Sequence, residues 1–301
     1  MHDIIVVGGG PAGLTAAVYA RRANKTVLVI EKETFGGQIT FSPKVENIPG
    51  FTALSGNEFA EQLVEQVLAQ GADVESAEVR EIKKEGEVFT VVTDGDRFTA
   101  RAVVIATGAR HRVLGLPNEE KFIGDGISFC AVCDGAFYQD GVVAVVGGGN
   151  SALQEALLLS DLAKKVYVIQ NLDFLTGEAK LAEQLVARPN VEVRLGCLVD
   201  AYLGEDTLRG IRIRRTSDGA LGELALDGVF LAVGLVPQNE PFASLLALDD
   251  RGYARAGEDT LTPTPGVFVA GDCRTKRIRQ VATAAADGAV AALAACDYLD
   301  R

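Results

Sequence analysis

Residues 4–32 read IIVVGGGPAGLTAAVYARRANKTVLVIEK, and the fold is decided here. The β-branched run Ile4–Val7 predicts a strand, and the stretch after the glycines predicts a helix to about Ala23. A second strand, Val27–Ile30, ends at Glu31. Gly8, Gly10 and Gly13 have G-x-G-x-x-G spacing. The first glycine makes a tight turn, the second lets backbone approach a pyrophosphate, and the third packs helix on strand. Pro11 and Ala12 lie inside the turn and count with it as cofactor-binding. The helix N-terminus faces the phosphates. Glu31, at the strand tip, accepts hydrogen bonds from a ribose. Strand, glycines, helix, strand and acid together predict a dinucleotide site rather than a plain glycine-rich turn.

The plan recurs at residues 142–171, VVAVVGGGNSALQEALLLSDLAKKVYVIQN, where Gly147, Gly149 and Ala152 give G-x-G-x-x-A. Each half has a later strand ending in a small-residue turn, VVIATGA at 103–109 and VFLAVGL at 229–235. Near the C-terminus a strand (Val267–Ala270) runs into Gly271-Asp272, and an Ala-rich helix starts near Gln280. The expectation is an α/β protein with two Rossmann-like, three-layer dinucleotide-binding domains. The second is inserted in the first: 1–114 with 242–301, and 115–241.

The chain has 301 residues, 48% hydrophobic and 23% charged, which suits two ordinary globular domains. A net charge of −12 argues against sequence-independent nucleic-acid binding. The uncharged run Ile4–Ala20 is preceded by His2 and Asp3, not by basic residues, and Gly8–Pro11 breaks it. It therefore reads as neither a signal peptide nor a membrane span, and the expected location is cytoplasmic.

Cys130 and Cys133 form C-x-x-C, followed at once by Asp134. A zinc site would need two more ligands; there is no second C-x-x-C, and His2 and His111 make no pair. The pair reads instead as a dithiol that closes to a disulfide, with Asp134 placed to move a proton, to cap a helix, or to do both. Cys197, Cys273 and Cys296 read as packing residues.

The chain resembles the low-molecular-weight thioredoxin reductases over essentially its whole length. The resemblance is carried by GGGPAGLTAAVYA (8–20), GGQIT (36–40), VENIPG (45–50), ATGA (106–109), CAVCDG (130–135), GGGNSA (147–152), GDCR (271–274) and RQVATAAADG (279–288). It implies FAD in the first domain, a homodimer, and electrons passing through Cys130–Cys133 to thioredoxin or a thioredoxin-like protein. It assigns Cys133 to the flavin side, Cys130 to attack on the substrate, and Asp134 to acid–base work. It also implies that Gly36, Gly37, Gln38 and Asn47 line the flavin, with Ala106, Thr107 and Gly108 in a second turn. Gly271 and Asp272 meet the ribityl chain, and Arg279, Gln280 and Val281 face the pyrimidine end of the ring. The inserted domain is expected to rotate about connections near 112–117 and 238–244.

One loop departs from the resemblance. NADPH-using members carry H-R-R-x-x-x-R after the second strand of the inserted domain, and arginines there grip the 2′-phosphate. The matching positions are Gln170, Asn171, Leu172 and Thr176, all neutral. No acid stands at the strand tip for NADH. GGGNSA followed by VIQNLDFLTGE (168–178) resembles the ferredoxin-dependent, pyridine-nucleotide-independent branch. Reduced ferredoxin is the expected donor, docking on Arg274, Lys276, Arg277 and Arg279. The alternatives are an NADPH- or NADH-dependent enzyme in which Arg112 or Lys180 substitutes for the clamp, and a flavin-binding redox sensor.

Overall fold

The structure, a computed structural model, describes residues 1–42 and 44–301. The chain divides into two compact units, Met1–Arg110 with Val236–Arg301, and His111–Leu235. Both crossings fall slightly earlier than the expected 114 and 241.

In the first unit, five parallel strands lie in the spatial order Asp73–Ser76, Val27–Glu31, His2–Val7, Arg97–Ile105, Val267–Val269. Strand His2–Val7 alternates its side chains between two cores. Ile4 and Val6 face the layer of helices Pro11–Arg22 and Val281–Leu299, while Ile5 and Val7 face the opposite layer with Phe89, Val91 and Phe242. Burial on both faces is why Ile4–Val7 is apolar at every position. Pro11 opens its helix at the first position, where a missing N–H costs nothing. The two helices cross closely: a Cβ at Gly288 would overlap the Ala12 carbonyl. Strands Val79–Glu85 and Val88–Thr93 continue antiparallel from the first half of Arg97–Ile105.

The second unit repeats the plan with one change of order. Its parallel strands run Val191–Arg194, Lys165–Ile169, Val142–Val146, Gly228–Leu231, Ile127–Ser128. The outer position filled last in the first unit is filled here by the unit's own first strand. That strand leads directly to helix Ala131–Asp134. The redox cysteines therefore stand at the carboxyl edge of the sheet, where such sheets place their ligands. A three-stranded antiparallel sheet, Cys197–Leu203, Gly210–Arg215 and Leu221–Ala225, covers one face. Ile211 and Ile213 point into that core, while Arg212 and Arg214 both pair with Asp200.

The segment 114–116 is held inside the second unit. The buried Glu119 carboxylate accepts from the Leu114, Gly115 and Leu116 N–H groups and from Tyr202 Oη. Four hydrogen bonds thus tie 114–116 to the second unit's own core. Among the described residues, no helix is long and apolar enough to cross a membrane.

Candidate active site

The first glycine turn is built as its spacing predicts. Gly8 has φ +111°, and a Cβ there would overlap the Ala106 carbonyl; a Cβ at Gly13 would overlap the Gly8 carbonyl. These two positions are closed by the fold itself. Gly10 differs: the nearest atom to its would-be Cβ is Gly36 O at 3.9 Å, so this side of the turn is open to a ligand. Gly36 and Gly37, with φ +107° and +60°, lie against it, and Gly36 N–H donates to Gly9 O at 2.7 Å. Glu31 Oε2 accepts from Gly9 N–H at 2.6 Å and Oε1 from Glu33 N–H at 2.8 Å. Burial pushes its carboxyl up, against those backbone donors. Ala12 Cβ lies 2.8 Å from where a side chain on Gly271 would begin.

Around this opening the structure gathers the other expected residues of the first unit. Gly108 has φ +66° and empty space where a Cβ would point. Thr107 Oγ1 donates to Asn239 Oδ1 at 3.3 Å, and Asn239 Nδ2 donates to the Gly252 and Cys273 carbonyls at 2.9 and 2.7 Å. Asn239 is fully buried and ties the 106–108 turn to the 271–273 turn. Asn47 Nδ2 donates to Gln280 Oε1 at 3.2 Å; Gln280 caps the terminal helix, and Val281 is its first residue. Gln38 is exposed on the turn that follows Gly37. Two buried polar atoms here have no hydrogen-bond partner among the described residues, Asp272 Oδ1, which lies 4.0 Å from Lys276 Nζ, and Arg279 Nε. Burial pushes the Asp272 carboxyl up. Arg279 lies over the Tyr253 ring, 4.4 Å from its centroid.

The basic patch expected to receive a partner is largely internal. Arg274 grips Asp287 with two hydrogen bonds, Nε to Oδ2 at 2.8 Å and Nη2 to Oδ1 at 2.7 Å. Lys276 Nζ donates to Asp287 Oδ2 at 3.0 Å, and so does Gly271 N–H. The Arg274, Lys276 and Asp287 side chains are 8%, 7% and 9% exposed. Arg277 is exposed, but it stands apart from these pairs. The cluster fastens the turn carrying Asp272 to the terminal helix, so the docking expectation is corrected for Arg274 and Lys276, whose buried, paired charges face no surface partner. The signal was Asp287 itself, an acid inside an alanine-rich helix that burial would forbid without partners.

In the second unit Cys130 and Cys133 form a disulfide. Asp134 stands at the N-cap of the turn Gly135–Tyr138 but makes no side-chain capping bond; its Oδ2 accepts from Ser128 Oγ at 2.6 Å. Ser128 Oγ in turn accepts from Cys130 N–H at 3.1 Å. Asp134 Oδ1 is buried without a partner, and burial pushes the carboxyl up, against the Ser128 hydrogen bond. An acid raised this way can hold and release a proton nearer neutrality than a free aspartate. Cys197, Cys273 and Cys296 are buried and free, as expected of packing residues.

The second glycine turn is overlaid by its own loop. Gln170 occupies the position of Glu31: Gly147 N–H bonds Ile169 O just as Gly8 N–H bonds Ile30 O. Its side chain is 5% exposed and lies over Gly148, with Cδ 2.5 Å from where a Cβ would be. Gln170 Nε2 donates to Phe174 O at 3.3 Å, and Oε1 accepts from Asn171 N–H at 3.2 Å. Thr176 and Gly177 N–H both donate to Gly148 O, at 2.8 and 2.9 Å. Asn150 and Glu178 bond each other reciprocally. Arg112 is exposed, with its chain beside Gly234.

A doubly wound pair of nucleotide-type sheets, an open glycine cradle in one and a C-x-x-C disulfide with a buried acid in the other define a flavin-linked disulfide oxidoreductase. The family model for pyridine nucleotide-disulphide oxidoreductases matches residues 2–288. A thioredoxin reductase of Treponema pallidum is 41% identical over 99% of this chain and 97% of its own. One of Listeria monocytogenes is 38% identical over 100% and 95%. The solved thioredoxin reductase of Streptococcus pyogenes is 37% identical with a TM-score of 0.94, covering 100% of this chain and 98% of its own. The chain belongs to the low-molecular-weight thioredoxin reductases within the pyridine nucleotide-disulphide oxidoreductase family. FAD is the cofactor of this family, and the first unit fits it. Gly10 is open toward a pyrophosphate, while Asp272 Oδ1 and Arg279 Nε still lack partners that a polar ligand can supply.

Proposed function

We propose that this protein reduces the disulfide of thioredoxin or a thioredoxin-like protein, working as a homodimer, with reduced ferredoxin as its electron donor. The cysteine pair, with Ser128 and Asp134 fixed beside it, supports the reductase chemistry. The first glycine turn, Glu31, Asp272 and the Arg279–Val281 segment would hold FAD, which would supply the two electrons that open Cys130–Cys133 to a dithiol, two ferredoxins giving one electron each and solvent the two protons. Cys130 then attacks one sulfur of the substrate disulfide and gives its proton to Asp134. The substrate S–S bond breaks, a mixed disulfide forms, and Asp134 returns the proton to the departing thiolate. Cys133 attacks the Cys130 sulfur, its proton passing to the second departing thiolate, and the Cys130–Cys133 bond closes.

The observation behind the donor is the loop over the second glycine turn. Gln170, Asn171, Leu172 and Thr176 carry no charge, and their loop is bonded back onto Gly148. An NADPH clamp uses charge-assisted hydrogen bonds of about 1.5–3 kcal/mol each, so losing several weakens binding by orders of magnitude. A second reading keeps NADPH as donor. It draws on the exposed Arg112 beside Gly234, in the turn whose Ala232 carbonyl abuts Gly147. Anaerobic stopped-flow mixing separates the two. NADPH or NADH at micromolar concentration should leave the flavin absorbance unchanged for seconds, while reduced ferredoxin bleaches it. Bleaching by NADPH within milliseconds would overturn the ferredoxin reading and leave the reductase chemistry intact.

A further inference from the structure

We propose that Ser128 is the positioning residue of the redox centre, holding the Asp134 carboxyl in one orientation so that Oδ1 is the oxygen that exchanges protons. The proposal rests on the reading of Asp134 as the acid of the dithiol.

Ser128 ends the short strand Ile127–Ser128 and is 5% exposed. Its backbone is fixed by parallel pairing opposite Phe230 in strand Gly228–Leu231. A hydroxyl has one proton to give. Here that proton goes to Asp134 Oδ2 at 2.6 Å, and a lone pair of the same oxygen receives Cys130 N–H at 3.1 Å. One buried oxygen therefore locks the carboxyl to the backbone of the attacking cysteine. With Oδ2 engaged, Oδ1 remains, buried and without a hydrogen-bond partner among the described residues. An unpaired buried oxygen is costly as part of a carboxylate and cheaper as a protonated acid. Burial and Ser128 thus pull in opposite directions. Burial favours the protonated form, and the hydroxyl favours the ionised form, keeping the acid able to give its proton up.

The titratable neighbours do not take over this task. Tyr138, on the following turn, is pushed up to about 12 by burial and by the Asp134, Asp125 and Asp227 carboxylates. Glu155 lies on the helix Asn150–Ser160 packed against Ala131–Asp134, and burial pushes it up to about 8. Neither group donates to the Asp134 carboxyl as Ser128 does.

The test uses the FAD-loaded protein with Ser128→Ala, Ser128→Thr, Ser128→Val and Asp134→Asn. Two quantities are followed against pH. One is the protonated-carboxyl C=O stretch in difference infrared spectra. The other is the single-turnover rate at which the chemically reduced dithiol opens dithionitrobenzoate. Asp134→Asn should remove the infrared band and the matching limb of the rate profile. Ser128→Ala should keep the band and move its midpoint up by about one to two pH units, the worth of one hydrogen bond to a charged group. Threonine keeps the hydroxyl and should keep the native midpoint, while valine, of nearly the same volume, should shift it as alanine does. That matched pair separates the hydroxyl from packing if the alanine variant folds poorly. A native midpoint in the valine or alanine variant would overturn the role of Ser128 and leave Asp134 as the acid. An unaltered rate profile in Asp134→Asn would instead overturn the reading on which the proposal stands.

Discussion

Replacing Asp287 by alanine should destabilise the first unit severely. The native carboxylate accepts four hydrogen bonds, two from Arg274, one from Lys276 and one from Gly271 N–H. Burial by itself would push Asp287 up; the two cations more than offset that and hold it below its ordinary value. Removing it leaves Arg274 and Lys276 charged and about nine-tenths buried, with Asp272 Oδ1 still 4.0 Å from Lys276 Nζ. Breaking a buried ion pair from one side costs about 3–5 kcal/mol. For a unit of this size each kcal/mol lowers Tm by roughly 2–4 °C, so the drop should be roughly 6–20 °C. Asp287→Asn keeps an acceptor for Gly271 and should fall between. The assay is urea unfolding of the holoprotein, followed by tyrosine fluorescence and by FAD release, since the same cluster anchors the turn bearing Asp272. Exposed ion pairs are worth about 1 kcal/mol or less. A loss that small would mean that Arg274 and Lys276 are free at the surface, and would revive the docking patch expected from the sequence.

Two other perturbations separate ligand from fold and acid from base. Gly10→Val should yield folded protein without FAD, because its side chain enters the open side of the cradle, whereas Gly13→Val should fail to fold, because its Cβ overlaps the Gly8 carbonyl; circular dichroism and the flavin spectrum read the two outcomes. His111 stacks on Phe129 with centroids 4.6 Å apart, and burial lowers its pKa to about 4 from 6.5. Its neutral form is favoured by folding, so this contribution is full above about pH 6.5 and is lost as pH falls toward about 4. Relative to His111→Phe, the wild type should lose about 2–3 kcal/mol of stability between neutral pH and about pH 4.5. Parallel denaturation curves for the two proteins at both pH values would refute this.

Much was legible in the chain because it depends on local backbone chemistry. A glycine forced to positive φ, a helix beginning at Pro11 and an apolar run at Ile4–Val7 declare themselves within a few residues. The same holds for the duplicated sheet, the C-x-x-C pair and the neutral loop at 170–176. Tertiary structure decided what depends on partners far apart in the chain. Charge in the 274–279 segment could not be read as buried until Asp287 came round from the terminal helix to pair with it. Asn239 looks like any loop amide until the Thr107 and Cys273 turns close on it. Spacing alone leaves Asp134 free to cap a helix, move a proton or both; the hydrogen bond it receives comes from Ser128, delivered by an edge strand that sits where the other unit places its last strand. Burial, counter-ions and the choice among hydrogen-bond partners are properties of the packed chain. A residue type states which bonds are possible, and only the fold states which of them are made.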